Sequence, residues 1–108
     1  MRLYELTYIV RPDMDDEAVA AVAARLEQTI TANGGTVLKT ENWGKRRLAY
    51  PIRRYSEGHY ILLHAELTDK AIREAERQIK ISEDIIRHLL VRVEPEALPE
   101  GREAAAEA

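Results

Sequence analysis

The chain has 108 residues, enough for one domain with a single core, and its 45% hydrophobic and 32% charged residues are ordinary for a globular protein. It contains no cysteine, which excludes disulfides, thiolate catalysis and cysteine metal sites and fits a reducing cytoplasm. Its apolar runs are far shorter than the roughly 20 residues that span a bilayer, and we expect no signal peptide at the amino terminus.

The formal net charge of −3 is unevenly distributed along the chain. Residues 94–108 hold five glutamates and one arginine, a net of −4, whereas residues 1–93 carry a net of +1. Binding to a polyanion would therefore depend on clustered charges in an almost neutral body. Because residues 94–108 also contain two prolines and an Ala/Glu run without a burial pattern, we predict a folded domain at 1–93 and an acidic, disordered tail at 94–108.

The first part of the chain predicts a strand followed by a helix. Residues 2–10 alternate with a period of two, and the uniformly apolar set that begins at Tyr4 should face the core. Asp13 or Asp15 is placed to cap a helix whose first turn contains acids, which the helix dipole favours. The Gly-Gly pair at 34–35 predicts the end of this helix.

Two strands follow. The first runs from Thr36 and contains Pro51, which cannot donate a ladder hydrogen bond and therefore predicts a sheet edge. Gly44 within it predicts a bulge. After a turn at 53–57, the strand that begins at Gly58 has apolar residues in both alternating sets, which predicts a central strand.

A second helix and a last strand complete the pattern. Thr68 is placed to cap the helix, and residues 85–93 form the strand. The order strand, helix, strand, strand, helix, strand favours an α+β fold of the ferredoxin-like type, βαββαβ, with a four-stranded antiparallel sheet and both helices on one face. In the last strand we predict that the set containing His88 and Leu90 lies on the face without helices.

Catalytic and metal-binding patterns are absent from the sequence. The three histidines, His59, His64 and His88, lack metal-ligand spacing, and a lone histidine on a strand is usually a surface residue. No phosphate-loop or dinucleotide-binding glycine pattern occurs, and neither serine has a recognisable base partner. We therefore expect no enzymatic activity, no cofactor or metal, no small-molecule substrate and no membrane association.

The sheet face without helices is predicted to carry an apolar patch, which suggests a protein partner. The alternative is that these are scattered surface aliphatics, which need no explanation. The residues expected on this face are Leu3, Ile9, Tyr60, Leu62 and Leu90.

A basic segment, residues 43–54, holds five of the sixteen Lys and Arg residues, with no acid between Glu41 and Glu57. Because arginine presents a planar, permanently charged fork suited to phosphate, this segment predicts a strand and turn that bind nucleic-acid backbone. The alternative is an edge strand kept soluble by charge. Since the third predicted strand has one aromatic residue near its start, phosphate contacts are favoured over base stacking.

The sequence Gly44-Lys45-Arg46-Arg47-Leu48-Ala49-Tyr50-Pro51-Ile52-Arg53 resembles the signature of the bacterial small-subunit ribosomal protein six family. The opening Met1-Arg2-x-Tyr4-Glu5, the Gly58-x-Tyr60 strand entry and the stretch from Ile86-Arg87 to Arg92 are also similar to that family. The resemblance covers about residues 1–93 and implies a ferredoxin-like protein of the cytoplasmic ribosome. It further implies binding to the central domain of small-subunit ribosomal RNA jointly with small-subunit ribosomal protein eighteen.

Site residues are carried over from the resemblance at the matching positions. Leu48, Tyr50 and Ile52 are expected to hold the basic strand in place. The partner protein is expected to contact Leu3, Tyr60, Leu62, His88 and Leu90. The expected RNA contacts are Arg2, Lys45, Arg46, Arg47, Arg53, Arg54, Arg87 and Arg92.

A different class of protein competes with this interpretation. It is a small-molecule-binding or regulatory ferredoxin-like domain that dimerises through its open sheet face. Such a domain would explain the apolar patch but not the concentration of arginine in one strand and turn.

Overall fold

Residues 2–93 are described by the computed structural model, so the predicted acidic tail lies outside the described residues. Six elements follow one another: β1 (Arg2–Val10), α1 (Asp16–Ala32), β2 (Thr36–Ile52), β3 (Tyr55–Leu67), α2 (Asp69–Ile81) and β4 (Ile85–Arg92). The strands form one antiparallel sheet in the order β2-β3-β1-β4. The ferredoxin-like fold is confirmed, and so are the central positions of β1 and β3 and the edge position of the proline-bearing β2.

Polar side chains cap both helices where the sequence places them. The Asp15 carboxylate accepts a hydrogen bond from the Ala18 backbone N–H at 2.8 Å, which decides between the two predicted caps of α1. The Thr68 hydroxyl accepts from the Ala71 N–H at 3.0 Å and thereby caps α2. After α1 the chain reverses at Gly34, whose φ of 89° is left-handed and costs little only in glycine.

The main core lies between the helices and one face of the sheet. It contains alternate residues of the two central strands, such as Leu6 and Tyr8 of β1 and Ile61 and Leu63 of β3. Leu26 and its neighbours on α1 close it from the other side, together with one stripe of α2. This face therefore matches the apolar alternation that the sequence predicts.

One extra residue in β4 changes which side chains face the helices. Ile9 of β1 pairs with Arg87 of β4, but the next β1 residue, Val10, pairs with Ile85, so Ile86 is inserted as a bulge. Ile85 lies in the main core. Because an insertion of one residue moves every later side chain to the opposite face, the rest of β4 is out of phase with Ile85.

The predicted positions of His88 and Leu90 on the open face of the sheet, the one that the helices do not cover, are therefore wrong. Leu90 pairs with Leu6 and packs against the main core. His88 lies on the helix side as well, with Nε2 3.7 Å from Oε2 of Glu76 in α2. The open face receives the other set of β4, which includes Leu89.

Two further residues that were predicted to form an uncovered apolar patch are buried instead. Leu62 and Ile9 lie on the open face, yet Leu62 is only 2% exposed and Ile9 is also buried. Because β1 and β3 are central strands, side chains of neighbouring strands flank these residues on both sides. Leu62, for example, is flanked by Thr7 and Glu41.

Candidate nucleic-acid interface

The long β2–β3 hairpin carries the basic segment at its far end. Pairing between the two strands shifts register three times, between Val37 and Lys39, between Asn42 and Gly44, and between Arg47 and Ile52. The second shift confirms the bulge predicted at Gly44, which has a φ of 80° and donates its N–H to the Asn42 side chain at 2.8 Å. Bulges bend and twist a strand, so they redirect the far half of the hairpin relative to the rest of the sheet.

A second, smaller apolar cluster anchors this far half. Leu48 is buried against Ile9 of β1 and the bulged Ile86 of β4. Ile52 and Tyr55, which flank the hairpin turn, pack against the same cluster. The basic segment is therefore fixed to the body of the domain from both sides of its turn.

A groove of about 380 Å³ lies between the anchored hairpin and the open face. Its wall is mainly aromatic and aliphatic, and its polar residues are Glu5, Thr7, Arg87 and His88. The residues that define it include Ile9, Trp43, Tyr50, Tyr60, Arg87 and Leu89.

Two arginines beside the groove are held by aromatic rings. The Arg46 guanidinium lies 5.5 Å from the centre of the Trp43 ring, and its Nε donates to the Trp43 carbonyl at 3.3 Å. The Arg87 guanidinium lies 5.6 Å from the Tyr50 ring and donates a hydrogen bond to the Tyr50 hydroxyl. Tyr50 is 55% exposed, so it orients Arg87 rather than filling the core.

Four other cations of the basic segment are not engaged by the fold. All four are exposed, and no side-chain hydrogen bond or ion pair joins any of them to another residue within 2–93. They are Lys45, Arg47, Arg53 and Arg54.

The predicted RNA contacts fall into two groups that the structure keeps apart. Arg87 and the five cations of the basic segment lie toward the hairpin end of the sheet. Arg92 and Arg2 lie at the opposite end, where Arg92 pairs with Tyr4. Along β1, Tyr4 and the Arg87 partner Ile9 are about 17 Å apart at about 3.3 Å per residue, so one compact contact cannot include both groups.

The open face also contains a buried Glu–His contact that sequence reasoning missed. Glu5 and His64 are direct cross-strand partners, and Nε2 of His64 lies 3.1 Å from Oε2 of Glu5. Their side chains are 7% and 6% exposed, so the expectation of a surface histidine at this position is wrong. Both residues occur in strands with the correct alternation, but only the β1–β3 register shows that they are opposite each other.

Within residues 2–93, no group of three or more His, Asp and Glu side chains is arranged to hold a metal ion. No helix in that range is long and apolar enough to cross a membrane.

The fold and the hairpin together define a ferredoxin-like domain with an anchored, arginine-rich surface. The Ribosomal protein S6 family model matches residues 3–92. The chain therefore belongs to the ribosomal protein S6 family, whose members are structural proteins of the small ribosomal subunit, and it is located in the cytoplasmic ribosome.

Individual relatives agree with this assignment. The small ribosomal subunit protein bS6 of Exiguobacterium sp. is 51% identical over 94 residues, which are 87% of this chain and 99% of the relative. The bS6 protein of Moorella thermoacetica is 45% identical over 97 residues, 90% of this chain and 99% of the relative. The crystal structure of 30S ribosomal protein S6 from Thermotoga maritima has a TM-score of 0.83 at 26% identity, and the match covers 99% of this chain and 98% of that one.

Proposed function

We propose that this chain binds the central domain of small-subunit ribosomal RNA jointly with small-subunit ribosomal protein eighteen, as a structural component without catalytic activity. The observation that carries the proposal is the set of four exposed, unengaged cations on a hairpin whose far end is anchored by Leu48, Ile52 and Tyr55. Arginine and lysine side chains that the fold leaves unpaired are available to phosphate.

The stacked arginines support the same interface. Aromatic faces hold the guanidinium groups of Arg46 and Arg87 in position, so both are oriented at the surface of the hairpin end. We propose that these two residues and the four unengaged cations contact phosphate together. Arg2 and Arg92, at the other end of the sheet, would require a second contact with the RNA.

The protein partner is proposed to cover the open face beside β4. Leu89 is 62% exposed and Val91 is 37% exposed there, and both are large apolar side chains that gain from burial in an interface. Leu3 and Tyr60, which are half-buried on the same face, keep their proposed contacts. Leu89 and Val91 replace His88 and Leu90, which lie on the helix side.

The RNA part of the proposal is tested by removing the four unengaged cations. Affinity for a central-domain RNA fragment is measured with the partner protein present, across a range of salt concentrations. Because each phosphate contact releases counterions, the quadruple Gln variant should bind more weakly. The magnitude of its logarithmic salt slope should be smaller by about 2.8–3.6. The variant is Lys45→Gln, Arg47→Gln, Arg53→Gln and Arg54→Gln.

A matched control removes four exposed cations from the helices and should leave affinity and slope close to those of the unmodified protein. It consists of Arg25→Gln, Lys70→Gln, Arg73→Gln and Lys80→Gln. If the hairpin variant and this control lost equal affinity, only net charge would matter. If the hairpin variant lost none, the basic segment would be a solubility device.

The partner surface is tested with Leu89→Asp. The isolated variant should remain folded, since Leu89 is mostly exposed, but its association with the partner protein should be lost. Ile81→Asp is the control, because Ile81 is also mostly exposed but lies at the end of α2, away from the open face. Unimpaired association of the Leu89→Asp variant would rule out this part of the open face as the partner surface.

A further inference from the structure

Only two residues, Arg53 and Arg54, connect β2 to β3 at the tip of the hairpin. Ile52 and Tyr55, on either side of them, are paired across the strands. Both connecting residues have left-handed backbones, with φ values of 49° and 75°. A two-residue hairpin loop with positive φ at both positions is a type I′ turn.

The sequence of this turn opposes its conformation. Type I′ turns prefer Asn-Gly, because glycine has no Cβ and asparagine tolerates the left-handed region. Most other residues are strained there, because their Cβ atom lies too close to the following carbonyl oxygen. Arg53 and Arg54 therefore reduce the stability of the tip. Nothing in the local backbone conformation favours arginine at either position.

The rest of the fold makes no use of these two side chains. Both are exposed, and neither forms a side-chain hydrogen bond or ion pair within the described part of the chain. Meanwhile Ile52 and Tyr55 pack against the second apolar cluster, so the turn is held on both sides. Strained backbone that packing maintains is characteristic of positions where a side chain has a function.

We propose, on the basis of the proposed function above, that the Arg53–Arg54 turn is the principal phosphate-binding site of the hairpin. Its fixed backbone presents two adjacent guanidinium groups, each able to form paired hydrogen bonds with phosphate oxygens. Because both of its members carry a planar guanidinium fork, whereas Lys45 is a point charge, this pair contributes more affinity than Lys45 and Arg47, which carry the same total charge. The strain at the tip is retained because the residues that relieve it cannot bind phosphate in this way.

The proposal is tested by comparing two double variants of the full chain. One variant, Arg53→Asn with Arg54→Gly, gives the turn its preferred sequence. The other, Lys45→Gln with Arg47→Gln, removes the same charge from the strand. Both should reduce the magnitude of the logarithmic salt slope for central-domain RNA by about 1.4–1.8. The turn variant should weaken binding at least tenfold more than the strand variant.

The turn variant should also melt about 4–8 °C higher than the unmodified protein, because it relieves the backbone strain. A third variant, Arg53→Lys with Arg54→Lys, keeps the charge and should keep the salt slope, but it loses the planar forks and should bind more weakly. Stabilisation and loss of affinity in the same variant would separate this role from a purely structural one.

Equal losses of affinity in the turn and strand variants would overturn the proposal, and so would an unchanged melting temperature in the turn variant. If the unmodified protein failed to bind the RNA with its partner present, the proposed function would fail first and this inference with it. If the unmodified protein bound and the turn variant bound equally well, only this inference would fail.

Discussion

On its helix-covered face, the sheet presents apolar and aromatic side chains such as Leu6, Tyr8 and Leu63, all of them buried. On the open face, the same central strands present a buried polar contact between Glu5 and His64. The open face also carries an exposed Leu89 at its β4 edge. Two faces of one sheet, built from alternate residues of the same strands, thus differ in chemistry.

The difference shows where stability and recognition are located. The helix face gains its free energy from removing apolar surface from water, which has no directional requirement. The open face retains polar and charged groups, and these are tolerated in a buried site only when paired in a fixed geometry. We therefore expect substitutions on the helix face to affect stability most and those of exposed residues on the open face to affect binding.

The largest contrast is expected between two leucine truncations. Leu26→Ala removes a fully buried side chain from the helix-side core and should lower the free energy of unfolding by about 2–5 kcal/mol. Leu89→Ala removes a mostly exposed side chain from the open face and should change it by less than about 0.5 kcal/mol. Urea denaturation of both variants measures the difference. Comparable losses would mean that Leu89 is part of the stabilising core.

The next largest effect concerns the contact between Glu5 and His64 on the open face. A double-mutant cycle with Glu5→Gln and His64→Leu should give a coupling energy of about 1–3 kcal/mol at neutral pH, since the two buried groups are in direct contact. The cycle isolates the pairwise energy from the other contacts that each side chain makes. A coupling energy near zero would show that the two groups are independent in solution.

A tyrosine hydroxyl group is also buried on the helix face. The Tyr8 hydroxyl is buried and has no hydrogen-bond partner among the described residues. Because a buried, unpaired hydroxyl is costly, Tyr8→Phe should increase the free energy of unfolding by about 1 kcal/mol. Thermal and urea denaturation at neutral pH measure this gain. Destabilisation instead would reveal a bound water or another partner for the hydroxyl.

The same substitution predicts a change at high pH. Burial, with a contribution from the Glu27 carboxylate, raises the pKa of the Tyr8 hydroxyl far above its ordinary value. Above about pH 10, the unfolded chain loses this proton while the folded protein retains it, so stability should fall by about 1.4 kcal/mol per pH unit. The Tyr8→Phe variant should lack this component. Parallel stability curves for the two proteins above pH 10 would contradict the assignment.

The smallest effect is expected at the stacked arginine of the open face. Tyr50→Leu removes the ring on which Arg87 lies. It should lower the free energy of unfolding by about 0.5–1 kcal/mol, as is usual for an exposed cation–π contact. Tyr50→Phe keeps the ring and loses only the hydroxyl that accepts a hydrogen bond from Arg87, so it should lower the free energy of unfolding by less. Equal stability of both variants and the unmodified protein would show that the stack is not formed in solution.

Local patterns in the sequence determined the elements and their order. Alternation identified β1 and its core-facing set, Asp13 or Asp15 and Thr68 marked the beginnings of the helices, and Pro51 placed β2 at an edge. These features depend on backbone geometry and on neighbours within a few residues of each other. Features of this kind can therefore be predicted from short stretches of the sequence.

The assignment of faces in β4 could not be predicted in this way. Both alternating sets of the strand contain apolar residues, so hydrophobicity does not distinguish them. The choice depends on the bulge at Ile86, which is visible only in the pairing with β1. A single inserted residue is therefore sufficient to exchange Leu89 with Leu90 as the side chain that faces the helices.

The sequence by itself thus determined the fold class and the basic character of one hairpin. Only the tertiary structure decided which cations remain unengaged, which arginines stack on aromatic rings and which polar residues are buried together. Glu5 and His64 are 59 positions apart, and Arg87 and Tyr50 are 37 positions apart. Such contacts depend on strand register and on bulges, because these fix which side chains from distant parts of the chain share one face of the sheet.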